Sequence, residues 1–332
     1  MHLSIPRGAR VTLAAAFLCG FAAQACAQAS QAGTAFPTRP VRWVVAFSPG
    51  GSNDILARLT GAKLAEAWGQ QVIVDNRAGA AGLIGGGIVA GAAPDGYTLL
   101  QSTSGPSING PLLSRKPPYG VGDFEHILMF GYTPLVIVVH PSFPPRTPKE
   151  LIEHLRAHPG KVTWGSSGIA GSLHIGLAQF EAATGTRVVH VPYKGAGPAL
   201  TDLVAGQIQA MHTSSVSADV HIRSGRIRVI GVAAGRRTAG LPEVPTLAEY
   251  GIKEAESLVW FGMSAPKGTP RAIVTRINAQ TNRVIALPEV RRRLDELGLE
   301  VTGGTPEEFA RFVANEAARI GRLIRAGVLQ PE

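Results

Sequence analysis

Gly50 and Gly51 stand between a short apolar run, Val41-Arg42-Trp43-Val44-Val45-Ala46, and a helical pattern that opens near Ile55. The segment Phe47-Ser48-Pro49-Gly50-Gly51-Ser52-Asn53-Asp54 therefore reads as strand, glycine loop and helix start. The first turn of a helix leaves backbone N–H groups without partners and carries partial positive charge. Glycines let that backbone come close to a ligand, so the place suits a carboxylate or phosphate. The plainer reading is an ordinary turn with Asn53 or Asp54 as the helix cap. Four more loops fall at the carboxyl ends of expected strands, where α/β folds bind ligands. They are Ser102-Thr103-Ser104, residues 166–172, residues 192–197 and Thr213-Ser214-Ser215. All are rich in glycine and small hydroxyl residues and poor in acid–base groups. Such loops hold an anion by neutral donors and bring no chemistry to it.

Catalytic readings find little support. Gly85-Gly86-Gly87-Ile88-Val89-Ala90 matches a dinucleotide fingerprint, but it lies several residues beyond its strand. No acid follows in residues 105–110, so helix packing explains it. Gly165-Ser166-Ser167-Gly168 lacks the spacing of a nucleophile elbow. His174 beside Ser166 and Ser167 is the best hydrolase candidate, against the plainer reading of a helix-face histidine. His154 and His158 are four apart on one helix, with no carboxylate to complete a zinc motif. No enzyme activity, metal or cofactor is expected.

The elements that must position these loops alternate. Short β-rich runs at 72–74, 97–100, 127–130, 135–139, 162–164, 188–191, 208–211, 229–233 and 259–264 are interleaved with helical patterns. Thr147 caps one of these helices, with Glu150 in a capping-box position. The last third is strongly helical. This order predicts an α/β fold with mainly parallel sheets flanked by helices.

The N-terminus predicts export. Arg7 and Arg10 precede an apolar stretch from 11 to 23 that is too short to span a bilayer. Ala25-Cys26-Ala27 offers small residues for cleavage, giving a signal peptide over 1–27 and a mature chain from about Gln28. Cys19 and Cys26 both fall inside it, so the mature chain has no disulfide. No other apolar run reaches membrane-spanning length, so a soluble mature chain is expected. The net charge of +9 drops to +7 once Arg7 and Arg10 are removed. The basic residues are dispersed, apart from Arg291-Arg292-Arg293 beside Asp295 and Glu296, and aromatics are sparse. A nucleic-acid partner is not expected.

Segments along the whole chain resemble the Bug-type extracytoplasmic solute receptors of tripartite tricarboxylate transporters. The similarity is carried by residues 47–54, Val74-Asp75-Asn76-Arg77-Ala78-Gly79, residues 93–100, Asp123-Phe124, Pro159-Gly160-Lys161 and residues 166–174. It continues through residues 190–195, 241–246 and 265–270. The resemblance implies a two-domain periplasmic binding protein of the type II-like class, with its ligand cleft between the domains. One domain would comprise about 36–133 plus 258–332 and the other 134–257. It implies a monomer that binds a small carboxylated solute and serves membrane transporter subunits or a sensor protein. It places ligand contacts at Gly50, Gly51, Asn53 and Asp54 in one loop, and at Ser166, Ser167, Gly168 and Ser172 in another. Phe47, Ser104, Ala170, Tyr193 and Thr213 complete the candidate set. Asp54 either caps its helix or meets an ammonium group on the ligand. Tyr193 is a packing residue or a ligand wall, and Lys194 an anion attractor or a solvated rim residue. Three positions depart from the family pattern. Ala170 stands where a second glycine is common, Tyr119-Gly120 lacks a following aspartate, and Asp219-Val220-His221 lacks a proline. Two rival readings are a periplasmic serine hydrolase and an interaction protein with a vestigial cleft.

Overall fold

The computed structural model describes residues 36–238, 240–326 and 329; the expected signal peptide lies outside them. The first third holds β1 (Val41–Val45), α1 (Ser52–Trp68), β2 (Val72–Asn76), α2 (Leu83–Ala90), β3 (Thr98–Ser102) and α3 (Gly110–Leu113). The middle holds β4 (Phe124–Val139), α4 (Pro148–Ala157), β5 (Thr163–Ser166), α5 (Ser172–Thr184), β6 (Val189–Pro192), α6 (Ala196–Val204), β7 (Ala210–Ser214), α7 (Ser215–Arg223) and β8 (Arg228–Val232). The chain ends with β9 (Leu258–Pro266), α8 (Arg271–Ala286), α9 (Pro288–Glu296), β10 (Glu300–Gly303) and α10 (Pro306–Arg325).

Two sheets share one long strand. The first has the order β2-β1-β3-β9-β4, with β10 also on β4. The second has the order β4-β7-β5-β6, with β8 also on β4. Strand β4 changes sheets in mid-course. Phe124 to Pro134 pair with β9, and Leu135 to Val139 pair with β7. In each sheet three neighbouring strands run parallel to one another: β2, β1 and β3 in the first, and β6, β5 and β7 in the second. Around the crossing, β9, β4, β10 and β8 pair antiparallel, so each sheet is mixed. The α/β architecture agrees with the alternating pattern, but the expected mainly parallel sheets are mixed, because β4 and β9 run against their neighbours and five of the nine strand pairings among the described residues are antiparallel.

The runs 127–130 and 135–139, which read as two strands, form one. Gly131 and Pro134 interrupt the sequence pattern, as both residues usually do in a strand. Here Gly131 sits at a register irregularity with φ 153°, where any side chain would strike the Glu300 carbonyl of β10. Pro134 lies at the crossing itself, opposite Leu258.

Each sheet is anchored by a stacked aromatic pair. Trp43 and Phe130 lie 5.8 Å apart in the first, Trp164 and Phe180 5.7 Å apart in the second. A satellite core of Trp260, Phe309, Val313 and Ile320 seats α10. Its fit depends on Gly262 of β9, where a β-carbon would overlap the Phe309 ring and approach Leu128 O at 2.9 Å. Gly262→Ala is therefore expected to cost about 1–3 kcal/mol through overpacking. Urea unfolding should show a lowered midpoint at unchanged slope; an unchanged midpoint would contradict the fit. Helix α4 starts as expected, with the Glu150 N–H donating to Thr147 Oγ1 at 3.2 Å. The Glu150 carboxylate, however, accepts from the Arg146 N–H, so the box is completed one residue early. A full capping box, Thr305 with Glu308, opens α10. Among the described residues no helix is long and apolar enough to cross a membrane.

Candidate functional site

Helix starts, rather than charged side chains, build the site. Helices α1, α5 and α6 begin after Gly51, Gly171 and Gly195, and none of these has a side-chain cap. Helix α7 begins after Ser214, whose hydroxyl accepts from the Ser217 N–H. The first residues of all four helices meet around one small cavity. Its walls are Gly51, Ser52 and Asn53 from α1, Ser172 and Leu173 from α5, Ala196 from α6, and Ser214 and Ser217 around α7. Phe47, Thr103, Ser167 and Val259 complete them. No charged residue lines it. Four partial positive charges and a ring of hydroxyls make a place for an anion held by neutral donors. Asn53 Oδ1 and Thr103 Oγ1 are buried there without a hydrogen-bond partner among the described residues, and Thr103 is only 2% exposed. Buried polar atoms are rarely left so, and the Thr103 hydroxyl can donate to a bound anion, whereas the Asn53 amide oxygen can only accept.

The cavity lies between the two sheets, and hydrogen bonds close it on several sides. The Ser48 N–H donates to Lys194 O at 2.9 Å. The Ser52 N–H donates to Ser217 Oγ at 2.8 Å. Ser104 Oγ and Ser172 Oγ are 2.7 Å apart, and Asn109 Nδ2 donates to Ala170 O at 3.0 Å. Each bond joins a loop of the first sheet to a loop of the second.

The thirteen candidate positions divide accordingly. Phe47, Gly51, Asn53, Ser167 and Ser172 line the cavity. Gly168, Ala170 and Tyr193 line a wider mouth beside it. Ser104 bridges to Ser172 at the cavity's other side. Gly50 faces Gly197 outside it. Thr213 is buried without lining it. Ser166 is fully buried, and its Oγ lies 2.6 Å from His190 Nε2. Asp54 is 5% exposed and turned into its own loop: one oxygen accepts from the Gly50 N–H at 3.1 Å, the other pairs with Arg58 at 2.9 Å. Burial alone would raise its pKa, but the bonds from Arg58 and Gly50 outweigh this and hold it below the usual carboxylate range. Asp54 therefore shapes the glycine loop, with both carboxylate oxygens engaged inside it. Tyr193 presents its ring, because its hydroxyl donates to Asp202 at 2.7 Å. Burial, with Asp202 adding to it, pushes that phenol up to about 12.

Ser166 and His174 do not form a nucleophile and base. His174 Nδ1 accepts the Ala170 N–H at 3.1 Å, and its ring stacks on His190 at 4.3 Å. Burial, reinforced by His174, lowers His190 to about 4, so the partner that Ser166 does have is a weak base at neutral pH. The pair props the serine loop from beneath. Thr103 and Ser214 belong to loops that the sequence marks, each one position from the residue singled out there. Ser217 escapes notice because only folding brings it to Ser52; its one signal is the Ser-x-x-Ser spacing from Ser214.

The model of the tripartite tricarboxylate transporter family receptor matches residues 56–329. The chain belongs to this family. It is 36% identical over 292 residues to Protein BugT of Bordetella pertussis, covering 87% of this chain and 90% of that one. Rpa4515 of R. palustris, solved with adipate, superposes with a TM-score of 0.85 at 33% identity, over 90% of this chain and 100% of its own. MatC of Rhodopseudomonas palustris, solved with bound malate, gives 0.81 at 32%, over 86% and 98%. The fold is thus that of a two-domain periplasmic binding protein, as the sequence resemblance implies. Ala170 has φ 63°, a left-handed backbone that glycine adopts without strain.

Proposed function

We propose that this chain is a periplasmic receptor that holds a small carboxylated solute between its lobes and presents it to a tripartite-type membrane transporter or a sensor protein. The observation that carries this reading is the meeting of four helix starts on one uncharged cavity lined by hydroxyls. Family membership, and relatives solved with adipate and with malate, support it. The lobes that move are residues 36–133 with 258–332, and residues 134–257. They bend where β4 and β9 cross, and the bridging hydrogen bonds form on closure. Gly51, Asn53, Thr103, Ser167, Ser172 and Ser217 act as ligand contacts. The mature chain starts near Gln28, works as a monomer, binds without transforming, and needs no metal or cofactor.

The test is native mass spectrometry of the mature protein taken from periplasm, followed by a thermal-shift series of organic acids. A co-purified acid lost on unfolding, or stabilisation by about 2.7 kcal/mol at a hundred times Kd, is the expected result. A bare protein that no organic acid stabilises would refute the reading.

A further inference from the structure

The cavity at the helix starts has a volume of about 30 Å³, which is room for roughly two water-sized groups. A carboxylate has two oxygens, so this head site takes one carboxylate and little else. The body of the solute must leave it. Phe47 and Ser167 are walls of the cavity and also of the mouth beside it, a space of about 390 Å³. On the opposite side, beyond the Ser104–Ser172 bond, lies a groove where Glu300 pairs with Arg236 and Glu316 with Arg319, while Glu256 leaves one negative charge in excess, which disfavours an anion. The body therefore lies in the mouth.

That mouth is apolar. Leu83, Leu113 and Ile169 line it, Ile169 remains 43% exposed, and Lys194 is its one charged lining residue among those described. Its backbone is also strained for a purpose. Among the described residues the non-glycine positions with positive φ are Ala80 at 47°, Ala81 at 52° and Ala170 at 63°. All three line this mouth. Glycine would relieve each of them, yet each keeps a methyl group. Strain gathered at a ligand clamp marks a functional demand, and here the shared product is methyl groups around the solute's path.

Building on the receptor reading, we propose that the solute is a monocarboxylic acid with an apolar aliphatic or aromatic body, taken in preference to di- and tricarboxylates. A second carboxylate in the mouth would give up part of its water beside apolar walls and meet only Lys194, an exposed and solvated cation whose pairing contributes little.

Hexanoate and adipate test this directly, since both have six carbons and differ by one terminal carboxylate. Calorimetry on the mature protein should give hexanoate or benzoate at least about tenfold tighter binding than adipate, malate or citrate, with hexanamide silent. The variant A80G/A81G/A170G should unfold at a higher temperature and bind hexanoate about tenfold more weakly. Tighter binding of adipate, malate or citrate overturns the inference and leaves the receptor reading standing. Unchanged hexanoate affinity in the glycine variant also overturns it. Failure of every acid to bind overturns both readings.

Discussion

Replacing Gly197 with alanine is expected to leave both lobes folded and to stop them meeting. Gly197 lies in the first turn of α6, where alanine is the better helix former. Its own lobe therefore loses nothing. Across the cleft, a β-carbon at this position would fall inside the van der Waals radius of the Pro49 carbonyl oxygen and reach Gly50 C at 3.3 Å. The obstacle is backbone on both sides and cannot rotate away. It exists only when the glycine loop and α6 are in contact, so it penalises the closed form alone. A loss of about 3 kcal/mol of closure energy would weaken ligand binding about a hundredfold. Calorimetry should show that loss, and small-angle scattering should show a radius of gyration that no longer contracts when the acid is added. Wild-type affinity in Gly197→Ala would mean that the loops do not meet when the ligand is held.

The second large effect is a loss of stability in mild acid. His212 is fully buried and accepts the Trp164 Nε1–H at 3.1 Å; burial lowers its pKa to about 3. Burial also lowers His126, beside Ser264, and His190, beside Ser166, each to about 4. All three lie below the value of about 6.5 that an unfolded histidine has. The unfolded chain then binds protons that the folded one refuses, so stability is complete above pH 6.5 and falls as pH drops toward 4. For a fully buried histidine this comes to about 2 kcal/mol at pH 5. His126 and His190 are partly exposed and contribute less. His212→Gln keeps an acceptor for Trp164 and removes the titration. Urea midpoints followed from pH 7 to 4.5 should fall less steeply in this variant, by about one proton's worth of slope. Parallel curves for variant and wild type would count against the burial argument.

The loops at strand ends are legible in the sequence because glycine, serine and threonine cluster there between apolar runs. Orientation within a loop is not. Thr103 and Ser104 are neighbours, yet one faces the cavity and the other crosses to Ser172. Ser214 lines the cavity while Thr213, opposite Val136 in the sheet, does not. A strand end turns successive side chains to opposite faces, so an error of one residue moves a side chain out of the site. The role of Asp54 turns on Arg58, one helical turn away, and that spacing can be read in advance. The contact of Ser52 with Ser217, 165 positions apart, cannot, because it exists only once the sheets face each other. Gly131 and Pro134 conceal the continuity of β4 for a similar reason: the partner that makes a bare Cα necessary, β10, is nearly 170 residues further on.

The placement of β9 sets an order of manufacture. It fills the middle of the first sheet, between β3 and β4, but is made only after β8 has completed the second. As the chain grows from its N-terminus, the inserted lobe has all its strands by Val232, while the lobe that opens the chain still lacks its centre. Until Leu258–Pro266 arrive, β3 and the first half of β4 have open edges, which are templates for pairing with another molecule. Lobes fold as units, so here the first to be started is the last to be finished. A chain cut short before β9 is therefore expected to lose the lobe made earlier before the one made later.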